Sequence, residues 1–207
     1  LDGLGNLYLY GYGVERDYLK AKEYFELAAK QNNPNAFIGL GNLYLYGYGV
    51  ERDYLKAKEC YELSAKLNNK NAYLCLGDFY ENPYGYEQDY SRAKYYYELA
   101  ARENKSNAFL KLGDFYAKGY GVKQDFKMAK KYYKLAAQQN NSISYYRLGK
   151  LYAKGEFLKR DLNKALEYYK KSSDQDNPVA IYKLGRLYEK GEIVQRNYEK
   201  AKYYYEL

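Results

Sequence analysis

An internal repeat of 36 residues constrains this chain more than any other feature of its sequence. The 20 residues from Leu4 to Glu23 recur without a change as Leu40 to Glu59. The dipeptide Leu-Gly then keeps the same spacing, with its leucine at Leu4, Leu40, Leu76, Leu112, Leu148 and Leu184. A fixed period of roughly 20–50 residues is typical of stacked repeat arrays. Residues that recur in every repeat are therefore expected to build the repeat, and residues that change are the candidates for function.

The second repeat shows how one unit is expected to fold. Asn33, followed by a proline, is typical of a helix N-terminus, because asparagine caps the helix and proline fits its first turn. Small and apolar residues then follow at helical spacing until Gly47, a typical glycine stop. Asp53 is expected to cap a second helix. The small residues Gly41 and Ala57 are expected to let the two helices approach closely, and neighbouring hairpins must stack to bury their apolar faces.

The repeated pattern A-x3-L-G-x2-Y-x2-G-x-G-V-x2-D-x2-K-A-x2-Y-Y-x2-A-A resembles the Sel-1-like repeat family, a branch of the tetratricopeptide (TPR) superfamily. The resemblance covers all 207 residues. In the second repeat the motif positions are Ala36, Leu40, Gly41, Tyr44, Gly47, Gly49, Val50, Asp53, Lys56, Ala57 and Ala65.

The resemblance implies an all-α fold, a right-handed α-solenoid or superhelix of six 36-residue antiparallel helix hairpins. It implies one Sel-1-like array over residues 1–207. The repeats are expected at about 1–32 (partial), 33–68, 69–104, 105–140, 141–176 and 177–207 (partial). Because the first and last repeats are partial, we expect the sequence to be an excerpt of a longer chain.

Three repeats depart from the pattern in the turn between their helices. The third has Pro83 where the others have the glycine that stops the first helix. Proline cannot adopt positive φ and keeps Asn82 out of the α region, so we expect a turn of different shape. The fifth and sixth repeats replace the second glycine with Phe157 and Ile193, which indicates that this position does not require glycine.

Residue types that carry chemistry are scarce. The chain has no histidine for a catalytic triad, and its two cysteines, Cys60 and Cys75, do not recur and are expected to be free thiols. This composition disfavours a metal site. The glycines around Gly11 follow no strand and precede no Lys-Ser or Lys-Thr pair, so they indicate a turn and not a phosphate-binding loop. Asp17 recurs in register, as a helix cap does. We expect no enzyme activity, no cofactor and no metal.

Three features of the sequence bear on location. No stretch approaches the ~20 apolar residues of a membrane span, and no signal peptide is visible. Some bacterial members of the family that the chain resembles staple each hairpin with a disulfide, and that pattern is missing here. A reducing compartment, and hence the cytoplasm, is weakly favoured. The missing signal carries little weight, because the N-terminus is expected to be truncated.

The resemblance to the TPR fold implies that the first helices of successive hairpins line a concave groove. The residues expected there change in an ordered way: the position after Leu-Gly, for example, runs from Asn6 in the first repeat to Arg186 in the last. The candidate partner-binding residues are Asn6, Tyr10, Asn42, Tyr46, Asp78, Lys111, Asp114, Lys118, Tyr146, Arg147, Lys150, Lys154, Tyr182, Lys183, Arg186 and Lys190.

Charge is divided unevenly along the chain. Residues 1–103 contain 12 basic and 15 acidic residues, whereas residues 104–207 contain 22 and 11, a net charge of +11. One interpretation is a groove that is neutral and tyrosine-lined at one end and basic at the other. It would receive an extended protein or peptide segment with an acidic stretch or a free carboxylate, and Arg147 or Arg186 would make the strong contacts. The other interpretation is that the lysines are solvated helix faces.

These features lead to one main functional hypothesis and several alternatives. The resemblance implies a non-enzymatic protein–protein interaction scaffold or adaptor, with bacterial regulators and immunity proteins among its relatives. The alternative is a nucleic-acid-binding repeat protein that uses the basic C-terminal half. A calculated pI of 9.1 favours that function, but no paired code of variable residues supports it. The identical first repeats also fit a structural spacer. An enzyme would require a neighbouring domain.

Overall fold

A computed structural model of the chain describes residues 1–84, 88–155, 159–191 and 194–207. Over these ranges the regular elements are all α-helices, which pair into hairpins. The all-α helical-hairpin fold expected from the sequence is confirmed. The helices divide into two compact units, residues 1–103 and 104–207. None of the described helices combines the length and the apolar character that crossing a membrane requires.

Three hairpins form the first unit. They are α1 (Asp2–Tyr10) with α2 (Tyr18–Ala29), α3 (Pro34–Tyr46) with α4 (Tyr54–Lys66), and α5 (Asn71–Glu81) with α6 (Tyr90–Arg102). Consecutive hairpins pack through α2 against α3 and α4 against α5. The core between them consists of small and large apolar side chains, among them the fully buried Ala36, Leu43 and Leu76.

Three further hairpins form the second unit. They are α7 (Ser106–Lys118) with α8 (Phe126–Ala137), α9 (Ser142–Lys154) with α10 (Leu162–Ser173), and α11 (Pro178–Lys190) with α12 (Tyr198–Glu206). Here α8 packs against α9 and α10 against α11. Because each hairpin shares its apolar surface with the next, the core of the unit is continuous from one hairpin to another.

The second helix of each hairpin begins at a capping side chain, as predicted. The Oδ1 atom of Asp53 accepts a hydrogen bond from the backbone N–H of Lys56 at 2.9 Å, and the backbone N–H of Asp53 donates to the carbonyl of Tyr44 at 3.0 Å. Both bonds satisfy groups that the turn would otherwise leave unpaired. The same cap is formed by Asp17, Asp89, Asp125, Asp161 and Asn197.

The first helices end as the sequence predicts. Gly47 terminates α3 in the left-handed region with φ of 72°, which favours glycine. In the third hairpin Asn82 is instead extended, with φ of −106° and ψ of 148°, and α5 ends one residue earlier in the repeat than α3 does. The different turn shape expected from Pro83 is therefore confirmed as far as Tyr84. Gly85, Phe157 and Ile193 lie outside the described residues.

The turns between hairpins contain a feature that the sequence analysis missed. In each of them one non-glycine residue has a φ of 55–61°, in the left-handed region. Asparagine and aspartate tolerate this conformation better than other side chains. These residues recur at the repeat period as Asn32, Asn68, Asn104, Asn140 and Asp176.

The glycine of each Leu-Gly pair contacts an aromatic ring from the second helix of its own hairpin. A Cβ atom at Gly41 would lie 2.5 Å from Cε1 of Tyr61, which is closer than real Cβ atoms come. The small size of Gly41 thus makes room for the ring of Tyr61, a contact that the sequence analysis did not predict. The equivalent pairs are Gly5 with Phe25, Gly77 with Tyr97, Gly113 with Tyr133, Gly149 with Tyr169, and Gly185 with Tyr205.

We expect Gly113→Ala to destabilise the protein, because the new methyl group would lie about 2.5 Å from Cδ1 of the buried Tyr133 ring. Overpacking of this kind costs about 1–3 kcal/mol, which exceeds the ~1 kcal/mol that alanine gains over glycine inside a helix. Urea unfolding followed by circular dichroism measures the difference. The matched control is Gly3→Ala, since nothing lies within 4 Å of a Cβ there and the variant should be neutral or slightly more stable. Equal stabilities of the two variants would contradict the ring contact.

Candidate functional site

Three of the predicted binding residues accept hydrogen bonds from the tyrosines that pack on glycine. The hydroxyl of Tyr61 donates to Oδ1 of Asn42 at 2.7 Å. The hydroxyl of Tyr97 lies 2.7 Å from Oδ1 of Asp78, and that of Tyr133 donates to Oδ1 of Asp114 at 2.7 Å. The position after Leu-Gly is therefore tied to the interior of the hairpin. The side chains of Asn42, Asp78 and Asp114 are half-buried.

In two hairpins the hydroxyl uses a second acceptor position, five residues after the leucine. Tyr97 also lies 2.6 Å from Oε2 of Glu81. Tyr205 donates to Oε2 of Glu189 at 3.0 Å. The first hairpin has Phe25 in place of tyrosine and needs no acceptor. The sequence analysis treated these residues only as surface positions, because the partner hydroxyl lies 16–19 residues away in the chain.

In the second unit, Arg147 on α9 forms an ion pair with Asp114 on α7. Its Nη2 donates to Oδ2 at 3.2 Å, while Nε lies 2.9 Å from Oδ1 without the alignment of a hydrogen bond. Asp114 thus receives a tyrosine hydroxyl from its own hairpin and a guanidinium from the next one. Arg147, predicted as a strong ligand for a partner carboxylate, already holds a carboxylate of this chain.

Basic residues predicted for the binding face come together between α9 and α11. They line a cleft of about 390 Å³, which we call the cationic cleft. Six of the predicted residues line it, and the described lining contains no acidic side chain. The lining residues are Tyr146, Lys150, Ala153, Lys154, Tyr169, Lys183, Arg186, Leu187 and Lys190.

Positive charge predominates in the described lining of the cationic cleft. The pKa of Lys150 is lowered by partial burial and by the charges of Arg147, Lys154 and Lys183. Arg186 lies 3.8 Å from Glu189 and 3.4 Å from the hydroxyl of Tyr182, and the tyrosine raises its pKa. Bringing an anion into the cleft would relieve the repulsion around Lys150.

A second cleft of about 230 Å³ lies one repeat earlier in the same unit. It shares Lys150 and Lys154 with the cationic cleft, but Asp114 supplies a negative charge to it. Among the remaining predicted residues of this unit, Lys118 places its ammonium 4.9 Å from the ring centroid of Tyr120, and Lys111 is half-buried. Tyr182 is half-exposed and lies against Tyr205.

The first unit presents aromatic side chains where the second presents cations. Tyr10 and Tyr46 are 54% and 46% exposed. Each stacks on the tyrosine two residues later, with ring centroids 5.4 Å apart. Asn6, in the same helix as Tyr10, is also exposed. These side chains of the first unit are therefore at the surface, and their role in binding stays a prediction.

Ten further tyrosines pack in pairs between the two helices of their hairpins. A tyrosine of the first helix stacks on one of the second in five hairpins, for example Tyr80 on Tyr96 with centroids 5.7 Å apart. Cys60 takes the place of the second ring in the remaining hairpin. Tyr133 is buried in the core, whereas Tyr95 and Tyr203 are exposed. The other stacked pairs are Tyr8–Tyr24, Tyr116–Tyr132, Tyr152–Tyr168 and Tyr188–Tyr204.

The two cysteines are free thiols, as predicted. Burial raises the pKa of Cys60 to about 11 and that of Cys75 to about 12. A thiol acts as a nucleophile or as a metal ligand only as the thiolate, so neither cysteine is activated. Among the described residues no cluster of three or more acidic or cysteine side chains could hold a metal ion.

Comparison with known protein families gives one match that covers nearly the whole chain. The model of the Sel1 repeat family matches residues 2–33, 36–69, 71–105, 108–141, 142–177 and 178–207. Each matched segment contains one of the six hairpins.

Solved structures show the same fold. A Sel1 repeat protein from Oxalobacter formigenes is 32% identical, with a TM-score of 0.89 over 99% of this chain and 84% of its own. A protective antigen with an SLR fold from uropathogenic Escherichia coli is 34% identical, with a TM-score of 0.76 over 99% of this chain and 44% of its own. An immunity protein from Pseudomonas aeruginosa shares the fold, with 22% identity and a TM-score of 0.69 over 99% of this chain and 79% of its own.

One curated relative matches a single repeat-sized segment. The ERAD-associated E3 ubiquitin-protein ligase component HRD3B of Arabidopsis thaliana is 57% identical over 35 residues. The match spans 16% of this chain and 6% of the length of that relative.

We expect Cys60 and Cys75 to react slowly with Ellman's reagent at pH 8 in the folded protein. A pKa of about 11 leaves about one thiol in a thousand ionised at this pH, and burial restricts access further. Unfolding in urea should release both thiols to rapid reaction, which serves as the control. Reaction of the folded protein at the rate of the unfolded chain would contradict the raised pKa values.

Proposed function

The chain belongs to the Sel1 repeat family, and we propose that it is a non-enzymatic interaction scaffold that binds an acidic segment of a protein partner in the cationic cleft. The observation that carries this proposal is the composition of the cleft wall. Four lysines and one arginine line it, and no acidic residue does so in the described part of the chain. Such a surface attracts and orients carboxylates.

The position of the cations in the repeat also supports a binding role. Lys150 and Arg186 occupy the position after Leu-Gly, where earlier repeats have asparagine or aspartate. In the second, third and fourth repeats the residue serves its own hairpin by accepting a tyrosine hydroxyl. A lysine or arginine cannot accept that bond. The change therefore gives up an internal contact and adds a charge to the surface.

An acidic protein segment fits this cleft better than a nucleic acid does. Single-stranded nucleic acids are held by aromatic rings whose faces are open for stacking. Of the two rings that line the cleft, Tyr169 packs on Gly149 and is 5% exposed, and Tyr146 lies against it with centroids 5.9 Å apart. The fold is shared with an immunity protein of Pseudomonas aeruginosa, and a regulator or immunity-type protein is one class of scaffold that agrees with the proposal.

The test compares an acidic peptide with an oligonucleotide. We expect a fluorescein-labelled hexaglutamate peptide, acetylated and amidated at its ends, to bind the wild-type chain in ~50 mM salt. The double variant Lys150→Glu/Arg186→Glu should bind at least about tenfold more weakly, because it reverses two charges on the cleft wall. Fluorescence anisotropy measures both affinities.

The control variant Lys127→Glu/Lys131→Glu makes the same change in net charge at two exposed positions of α8. It should retain most of the affinity. Equal losses in the two double variants would mean that only net charge matters and would refute the cleft. Tighter and steeply salt-dependent binding of a six-residue oligothymidylate would favour the nucleic-acid alternative instead.

A further inference from the structure

The two clefts of the second unit are copies of one another, displaced by one repeat. Every charged residue that lines the earlier cleft has a counterpart in the lining of the cationic cleft, 36 positions further along the chain. The corresponding pairs are Asp114 and Lys150, Lys118 and Lys154, Tyr133 and Tyr169, Arg147 and Lys183, Lys150 and Arg186, and Lys154 and Lys190. The earlier cleft thus shows how this arrangement accommodates a carboxylate.

In the earlier cleft a hydroxyl and a cation meet on one carboxylate. Tyr133, whose ring packs on Gly113, donates to Oδ1 of Asp114 at 2.7 Å. Arg147 from the following hairpin donates to Oδ2 at 3.2 Å. Hydrogen bonds of this charge-assisted kind are the stronger ones in proteins. Both donors are fixed, one by the ring contact and the other by its place on α9.

The cationic cleft keeps the hydroxyl and the cation but lacks the carboxylate. A Cβ atom on Gly149 would lie 2.6 Å from the Tyr169 ring, and one on Gly113 would lie 2.5 Å from the Tyr133 ring. Because the two rings pack equally closely, the Tyr169 hydroxyl has the equivalent place. Lys183 replaces Arg147 as the cation from the next hairpin, and it also lines the cleft. Lys150 stands where Asp114 would be.

The fifth hairpin differs from every other hairpin that carries this tyrosine. Elsewhere the chain supplies an acceptor either directly after Leu-Gly or five residues after the leucine. In the fifth hairpin these two positions are Lys150 and Ala153, which cannot accept a side-chain hydrogen bond. Within the described ranges no hydrogen bond to the Tyr169 hydroxyl is formed.

We propose that a glutamate or aspartate side chain of the partner fills this place, accepting a hydrogen bond from the Tyr169 hydroxyl and pairing with Lys183 and Lys150. The carboxylate of the partner then reproduces the arrangement that Asp114 forms with Tyr133 and Arg147 one repeat earlier. This inference rests on the proposed function, since it names the acceptor site for one residue of the acidic segment. The inference requires that binding depend on the uncharged Tyr169 hydroxyl, whereas general attraction between charges would not depend on it.

A pair of Tyr→Phe variants tests the hydroxyl without altering any charge. Tyr169→Phe should fold normally, because the first hairpin already packs Phe25 on Gly5 in the same way. We expect it to bind the capped hexaglutamate peptide roughly tenfold more weakly, the loss typical of a hydrogen bond to a charged group. Tyr133→Phe removes the same atom from the cleft that Asp114 occupies and should leave the affinity unchanged.

The outcomes separate this inference from the proposed function. If Tyr169→Phe binds as tightly as the wild type while Lys150→Glu/Arg186→Glu does not, the acidic segment binds by charge alone and the carboxylate site is refuted. If both Tyr→Phe variants lose affinity equally, the effect is not specific to this cleft and the site is again refuted. If the wild-type chain does not bind the peptide, the proposed function itself fails.

A second variant supplies the missing carboxylate from within the chain. Lys150→Asp should abolish detectable peptide binding and raise the melting temperature by about 2–4 °C, because the new side chain can accept the bond from Tyr169 and pair with Lys183. Lys131→Asp makes the same change in charge at an exposed position of α8 and should do neither. A melting temperature for Lys150→Asp no higher than that of Lys131→Asp would overturn the inference.

Discussion

The packing of an aromatic ring on a glycine fixes the geometry of every hairpin in this protein. In each hairpin the ring approaches so closely that a Cβ atom on the glycine would lie 2.4–2.6 Å from it. In the first five hairpins the ring is buried and removes a large apolar area from water, and in every hairpin it also sets the separation of the two helices. Because the contact recurs in all six hairpins, it forces the Leu-Gly pair to recur with it.

This contact also determines where the variable chemistry of the chain is found. A ring held on the glycine presents its hydroxyl to the residue that follows, so that residue is linked both to the core and to the surface. Asn42 and Asp114 satisfy the hydroxyl from within the chain. Together, this position and the second acceptor position, which Glu189 occupies in the sixth hairpin, decide whether the hairpin is self-sufficient in accepting the bond. In the fifth hairpin it is not, and under our proposal the partner completes it.

The features that the sequence predicted correctly are those with local physical causes. The caps at Asn33 and Asp53 and the stop at Gly47 depend on backbone groups within a few residues, so residue type and spacing were enough. The contrast between tyrosines and cations also follows from composition. Contacts through space did not follow, because nothing in the spacing connects Gly41 with Tyr61 or Asp114 with Arg147. The packing of Gly39 against the Phe25 ring of the preceding hairpin is a further contact that the spacing does not indicate.

A cluster of like charges is a cost that a purely structural repeat has no reason to carry. Partial burial and three neighbouring cations lower the pKa of Lys150, so the protonated lysine is held against repulsion. The sequence at Leu4–Glu23 and Leu40–Glu59 shows that this repeat can be built with neutral residues at the same positions. Proteins tend to break local rules of stability where function requires it. In the fifth hairpin two rules are broken together, because Lys150 both removes the acceptor of Tyr169 and adds to the repulsion, and one carboxylate from a partner would resolve both.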